Sequence, residues 1–161
     1  MATTAKPIVR FFVIVAILSL PVTTMAGQEE RGRTNETLTV PFVNGDVGVQ
    51  TVNSYSGRVL VKVRGIGQAA GTAWSDAFYV FTDGEGNPVE PWQAEPPFNF
   101  TLWINGGPAD YFVDPIPPYN PDHVYVFQID APDGPLTFAV GDCYTIDNAG
   151  EYEIVVRDLP H

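Results

Sequence analysis

The chain has 161 residues with 15 glycines, 15 prolines and a formal net charge of −11 at pH 7, enough for one domain with a proper core but not comfortably for two. So acidic a chain is repelled by nucleic acid and by anionic lipid, which argues against both as partners. It suits a soluble partner, a neutral ligand such as a sugar, or a bound cation such as calcium, and solubility alone is the plainer account of the charge.

Residues 1–26 read as a secretory leader. Lys6 and Arg10 form a basic start, Phe11 to Leu20 is an uncharged apolar run, and Thr24-Met25-Ala26 places small residues where a signal peptidase cleaves. Ten apolar residues reach only about 15 Å as a helix, half of a bilayer's hydrocarbon thickness. The expectation is therefore a signal peptide over 1–26 and a secreted product: extracellular, periplasmic or at the cell surface, with no stable membrane insertion after cleavage. Cys143 is the only cysteine, so no disulfide forms within the chain. It is either a buried thiol serving as a small hydrophobe or a bridge between chains.

Residues 27–36 (GQEERGRTNE) are polar and charged and predict a flexible N-terminal arm, followed by a domain over 37–158. There the period is two. Leu38, Val40 and Phe42 alternate with polar or turn-forming residues, as do Val59, Val61 and Val63, then Phe98, Phe100, Leu102 and Ile104, then Leu136, Phe138 and Val140, and finally Tyr152, Ile154 and Val156. These are half-buried strands. Ala77 to Thr82 and His123 to Ile129 are richer in apolar and aromatic residues and predict more central ones. Turn chemistry separates them at Asn44-Gly45-Asp46, at Asp83 to Pro88, at Asn105 to Pro108, at Pro132 to Pro135 and at Asn148-Ala149-Gly150. Eight or nine such strands predict an all-β fold: a single-domain antiparallel β-sandwich with jelly-roll-like wiring. Five prolines between Asn105 and Asp122 bar that segment from an interior strand and predict an ordered, partner-facing loop.

Catalytic signatures are scarce. There is no G-x-S-x-G around Ser54, Ser56 or Ser75, no H-E-x-x-H and no His/Cys cluster for zinc. His123 begins a strand beside Tyr125 and Phe127 and reads as a sheet-edge histidine. Glu90 and Glu95 flank Trp92, a spacing a small glycoside hydrolase could use, but a Pro-rich turn does not define their separation. Asp83-Gly84-Glu85-Gly86-Asn87 starts like a calcium loop, yet Pro88 replaces the required glycine, so it predicts a hairpin turn.

Residues 141–150 (GDCYTIDNAG) put Asp142, Thr145, Asp147 and Asn148 on one inter-strand loop, where oxygen donors can converge on a hard cation. The alternative is an Asx-rich turn that satisfies its own backbone. With the strand that follows, this loop resembles the end of calcium-dependent galactophilic bacterial lectins, small β-sandwiches in which calcium holds sugar hydroxyls. The resemblance places Asp147 and Asn148 at the family's paired asparagines and Tyr144 at a threonine ligand position. The family's first aspartate falls at Val140, whereas this chain has Asp142 two residues later. Sugar faces also stack on aromatic rings. Trp103, on the polar side of its strand, and Trp74, Trp92 and Tyr119, in turn-rich surroundings, are the candidate platforms.

The expectation is a secreted, non-catalytic binding module with calcium-assisted carbohydrate binding. A structural or adhesive protein that binds extracellular proteins is the alternative. The basic stripe Arg58, Lys62 and Arg64 predicts pairing with carboxylates of a neighbouring strand or subunit.

Overall fold

Residues 35–69, 71–93 and 100–160 are described in a computed structural model. The expected signal peptide, most of the expected arm, and Glu95 lie outside them. The described residues form β1 (Asn35–Pro41), β2 (Val49–Arg64), β3 (Gly67–Ala69), β4 (Ala73–Ser75), β5 (Tyr79–Thr82), β6 (Pro88–Gln93), β7 (Leu102–Ile104), β8 (Gly107–Pro108), β9 (Val124–Val140) and β10 (Ala149–Asp158). Short 3-10 helices occupy Phe42–Val47 and Ala109–Tyr111.

Every pairing is antiparallel, and the hydrogen bonds run in one path, β6-β5-β4-β3-β10-β2-β9-β7-β8, with β1 also on β10. The all-β class and antiparallel arrangement are as the two-residue period predicts. The layers, however, belong to one curled sheet. Its curl is visible in the packing: the Phe78 ring, between β4 and β5, lies edge-on to Tyr125 and Phe127 of β9 at centroid distances of 5.2 and 5.3 Å.

The bend has a backbone cause. β2 and β3 both run beside β10, but the chain breaks step between them at Gly65 and Ile66. Gly65 has φ +123° and Gly150, opposite Gly67 on β10, has φ +94°. A Cβ on Gly65 would strike the Glu151 carbonyl, and one on Gly150 the Ile66 carbonyl. Only glycine allows the two backbones to approach so closely in that conformation.

One face of the alternating strands makes the core. Val59, Val61 and Val63 of β2 are fully buried, as are Tyr152, Ile154 and Val156 of β10, and Tyr125, Phe127 and Ile129 of β9 are nearly so. Each such side chain contributes about 1.5–3 kcal/mol. Their neighbours face water: Arg64 reaches Glu153 at 3.3 Å with both side chains about half exposed, a pair worth under about 1 kcal/mol.

One expected break is bridged. Pro132 to Pro135 does not end a strand, because β9 runs on through it beside β2, with the irregularity absorbed between Tyr55 and Gly57. Phe42 is buried as expected but sits in a 3-10 helix. The Pro-rich segment is ordered: Val113 is buried, Ile116 and Tyr119 pack on the core, and Tyr79 Oη donates to the Pro117 carbonyl at 2.9 Å.

β1 begins at Asn35, two residues before the expected domain start. Glu36 explains why. Its carboxylate accepts the N–H groups of Val52 (2.6 Å) and Asn53 (3.1 Å), the Asn53 amide and the Tyr55 hydroxyl, so it caps the irregular start of β2. Desolvation works to raise its pKa, but these donors outweigh it and hold the carboxyl below its ordinary 4.5. Burial, with Glu36 nearby, pushes the Tyr55 hydroxyl up to about 12. A folded pKa below the unfolded one gives stability that is complete above the unfolded value and lost as pH falls through the folded value. Glu36→Gln is therefore expected to cost about 0.5–1 kcal/mol at neutral pH, after allowance for solvent screening. Thermal melts across the acid range should show the difference from wild type shrinking below pH ~4. A gap that stays constant to low pH would refute this role.

Candidate functional site

The 141–148 loop leaves β9 and packs on the 3-10 helix Phe42–Val47. The Asp46 N–H donates to the Asp142 carbonyl at 3.1 Å, and the Asn148 side-chain amide donates to the Phe42 carbonyl at 3.1 Å. Gly45 makes the fit possible: it has φ 51° and ψ −135°, and a Cβ there would strike the Asp142 carbonyl and the Thr145 methyl. Within the loop the Tyr144 N–H donates to Asp142 Oδ1 at 2.9 Å and the Asn148 N–H to the Thr145 carbonyl at 3.3 Å.

Two oxygens are left over. Asp142 is 8% exposed and Asn148 7% exposed, and Asp142 Oδ2 and Asn148 Oδ1 are buried with no hydrogen-bond partner. Burying an unpaired carboxylate or amide oxygen costs several kcal/mol unless something compensates it. Asp147 is tied outward, its Oδ2 accepting the Gly71 N–H at 2.8 Å. Tyr144 is 62% exposed and Ile146 85% exposed. Cys143, on the same loop, is exposed rather than packed as a small hydrophobe. Among the described residues no three of His, Cys, Asp and Glu gather as a metal cluster. Any cation here would need a mixed set of carboxylate, amide, hydroxyl and carbonyl oxygens, which suits calcium and not zinc.

The four candidate platforms lie on separate elements. Trp74 is on β4, its backbone N–H donating to Thr82 Oγ1 at 2.6 Å. Trp103 is half-buried on β7, opposite Ala139. The Tyr119 ring packs edge-on against Tyr79 (5.5 Å) and His123 (5.8 Å), so its faces are partly taken. Trp92 is the open one, 45% exposed on β6 opposite Val80. It borders a cleft of roughly 440 Å³ lined by Ala73, Val80, Phe100, Asp83 and Glu90 among others. Asp83 begins the β5–β6 turn, where its Oδ1 accepts the N–H groups of Glu85 and Asn87, both at 2.9 Å. This is the expected hairpin turn.

A polar cluster that sequence reasoning did not find lies inside the curl. Asp76 is completely buried. Its Oδ1 accepts the N–H groups of Phe78 (3.0 Å) and Tyr79 (2.8 Å), and its Oδ2 lies 2.8 Å from both Tyr125 Oη and His123 Nδ1. The Tyr152 hydroxyl donates to the Asp76 carbonyl at 2.9 Å. Burial, with this carboxylate nearby, pushes the Tyr125 and Tyr152 hydroxyls up, well out of the titrating range. His123 has φ 51°, precedes β9 and lies against the Phe81 ring, tilted, at a centroid distance of 4.7 Å. The Asp76–His123 pair joins the β4–β5 bend to the start of β9. An aspartate inside the apolar run A-W-S-D-A-F-Y-V-F was the available signal.

No family profile matches the chain, and no curated protein matches it. Among solved structures it is similar to the EclA N-terminal domain, a PllA-like lectin. The identity is 15% and the TM-score 0.40, over 76% of this chain and 95% of that one.

Proposed function

We propose that this chain is an exported, non-catalytic binding domain whose 141–148 loop holds a calcium ion that assists carbohydrate binding. The observation that carries the reading is the pair of buried, unpartnered oxygens, Asp142 Oδ2 and Asn148 Oδ1. A divalent cation would supply the partner that the protein does not, and calcium accepts oxygen ligands from carboxylate and amide alike. Asp142 and Asn148 would hold it by their side chains. Thr145 stands beside them, and Asp147 keeps one carboxylate oxygen that Gly71 does not use. The lectin-like order of these residues supports the same reading. A loop-bound calcium can coordinate vicinal hydroxyls directly, and the exposed Tyr144 ring offers a sugar an apolar face.

Calcium that binds the folded state alone stabilises it by mass action, by about 2.7 kcal/mol at a hundred times its dissociation constant. The expected result is a melting temperature that rises with millimolar calcium and falls on chelation. Asp142→Asn should abolish the response. A glycan array probed with and without chelator then reads the sugar. A melting temperature indifferent to calcium would overturn the metal assignment, and calcium-dependent melting without any glycan captured would overturn the carbohydrate assignment.

A further inference from the structure

We propose that the cleft beside Trp92, none of whose lining residues belongs to the 141–148 loop, is a second binding site, and that it takes an organic cation on an aliphatic stem such as an arginine side chain. The cleft combines two features that favour this ligand. Its apolar surface comes from Ala73, the buried Val80, Phe100 and the half-exposed indole of Trp92. Its charge comes from Asp83 and Glu90, and among the described residues Glu90 makes no hydrogen bond or ion pair. A cation over an indole face gains from the ring quadrupole, more so where water is partly excluded, and the stem covers the apolar wall while the head stays near carboxylates.

Charge placement favours a cation over a neutral sugar. The described basic side chains, Arg58, Lys62, Arg64 and Arg157, all lie on β2 and β10. The β5–β6 hairpin carries Asp83, Glu85 and Glu90 with no base among them. Asp83 is ionised in place, because the Asn87 side chain and the turn N–H groups hold its carboxyl below the usual range. A pyranose would stack on the same indole yet leave this negative charge unanswered. A guanidinium, planar and weakly hydrated, meets both the ring and the carboxylates.

Calorimetry of the whole domain with Nα-acetyl-arginine methylamide tests the site, with the isosteric but neutral citrulline compound and methyl galactoside as controls. The arginine compound is expected to bind saturably, more weakly as salt is added, and equally with and without chelator. Trp92→Ala and Glu90→Gln should each weaken it about fivefold. Glu90→Gln alters one exposed carboxylate, so it remains informative if Trp92→Ala fails to fold. Equal binding of the citrulline compound, or loss of binding on chelation, would overturn the proposal. So would galactoside binding that Trp92→Ala removes while the arginine compound stays silent. Calcium-dependent melting is unaffected by any of these outcomes, so the two sites fail or stand independently.

Discussion

Asp76→Ala is expected to destabilise the domain by about 3–5 kcal/mol, the largest effect of any single polar substitution here. The carboxylate is completely buried and is the acceptor for two backbone N–H groups and the Tyr125 hydroxyl, besides pairing with His123. Removing it leaves those groups buried without partners, and the cost of an unmade hydrogen bond exceeds the gain from making one. Equilibrium denaturation should show a lower midpoint with an unchanged slope. Asp76→Asn, which keeps an acceptor oxygen but loses the charge, should fall between wild type and alanine. A loss below about 1 kcal/mol for the alanine variant would mean that the cluster is not the clamp between the β4–β5 bend and β9.

The second large effect is expected at Phe42, whose ring is fully buried, lies 4.7 Å from Tyr152 and passes beneath Gly67. Phe42→Ala should cost about 3–5 kcal/mol through lost burial and the cavity left behind. It should also loosen the 3-10 helix that seats Asp142 and Asn148, and so weaken the calcium response proposed for that loop. Phe127→Ala, buried against Phe78, should destabilise comparably while leaving that response in place. Melting curves of both variants across a calcium titration separate the two effects. If both responded to calcium alike, the 3-10 helix would have no part in the site.

The alternating strands were legible because a half-buried sheet writes its period directly into the chain. Val59, Val61 and Val63 point inward while Arg58, Lys62 and Arg64 point out, and the same holds for Tyr152, Ile154 and Val156. The short β3 and β4 were not legible. Three residues of pairing carry no periodic signal, and β3 takes its register from β10, far away in sequence, before β4 pairs back onto it. The first half of β2 was equally silent, since Gln50 to Ser56 is largely polar and is held by the capping carboxylate of Glu36.

The loop residues Asp142, Thr145, Asp147 and Asn148 could be singled out from composition, because oxygen-bearing side chains crowd one turn. Which of their oxygens face water and which are stranded inside could not. Spacing along a loop says nothing of what packs above it, and here the 3-10 helix with Gly45 covers Asp142 and Asn148 while Asp147 is drawn off to Gly71. The aromatic candidates show the same limit. Four rings were named from their surroundings, and only the curl of the sheet leaves Trp92 open over a cleft while Tyr119 is packed between Tyr79 and His123.

What the chain determines alone is therefore what short-range alternation can encode: an acidic all-β domain, its inward residues, and turns rich in Gly, Pro and Asx. The single curled sheet, the Asp76 cluster and the two stranded oxygens depend on contacts between residues dozens of positions apart. Those contacts are selected by chain-wide packing, in which one buried face must close on itself, and no local pattern records them.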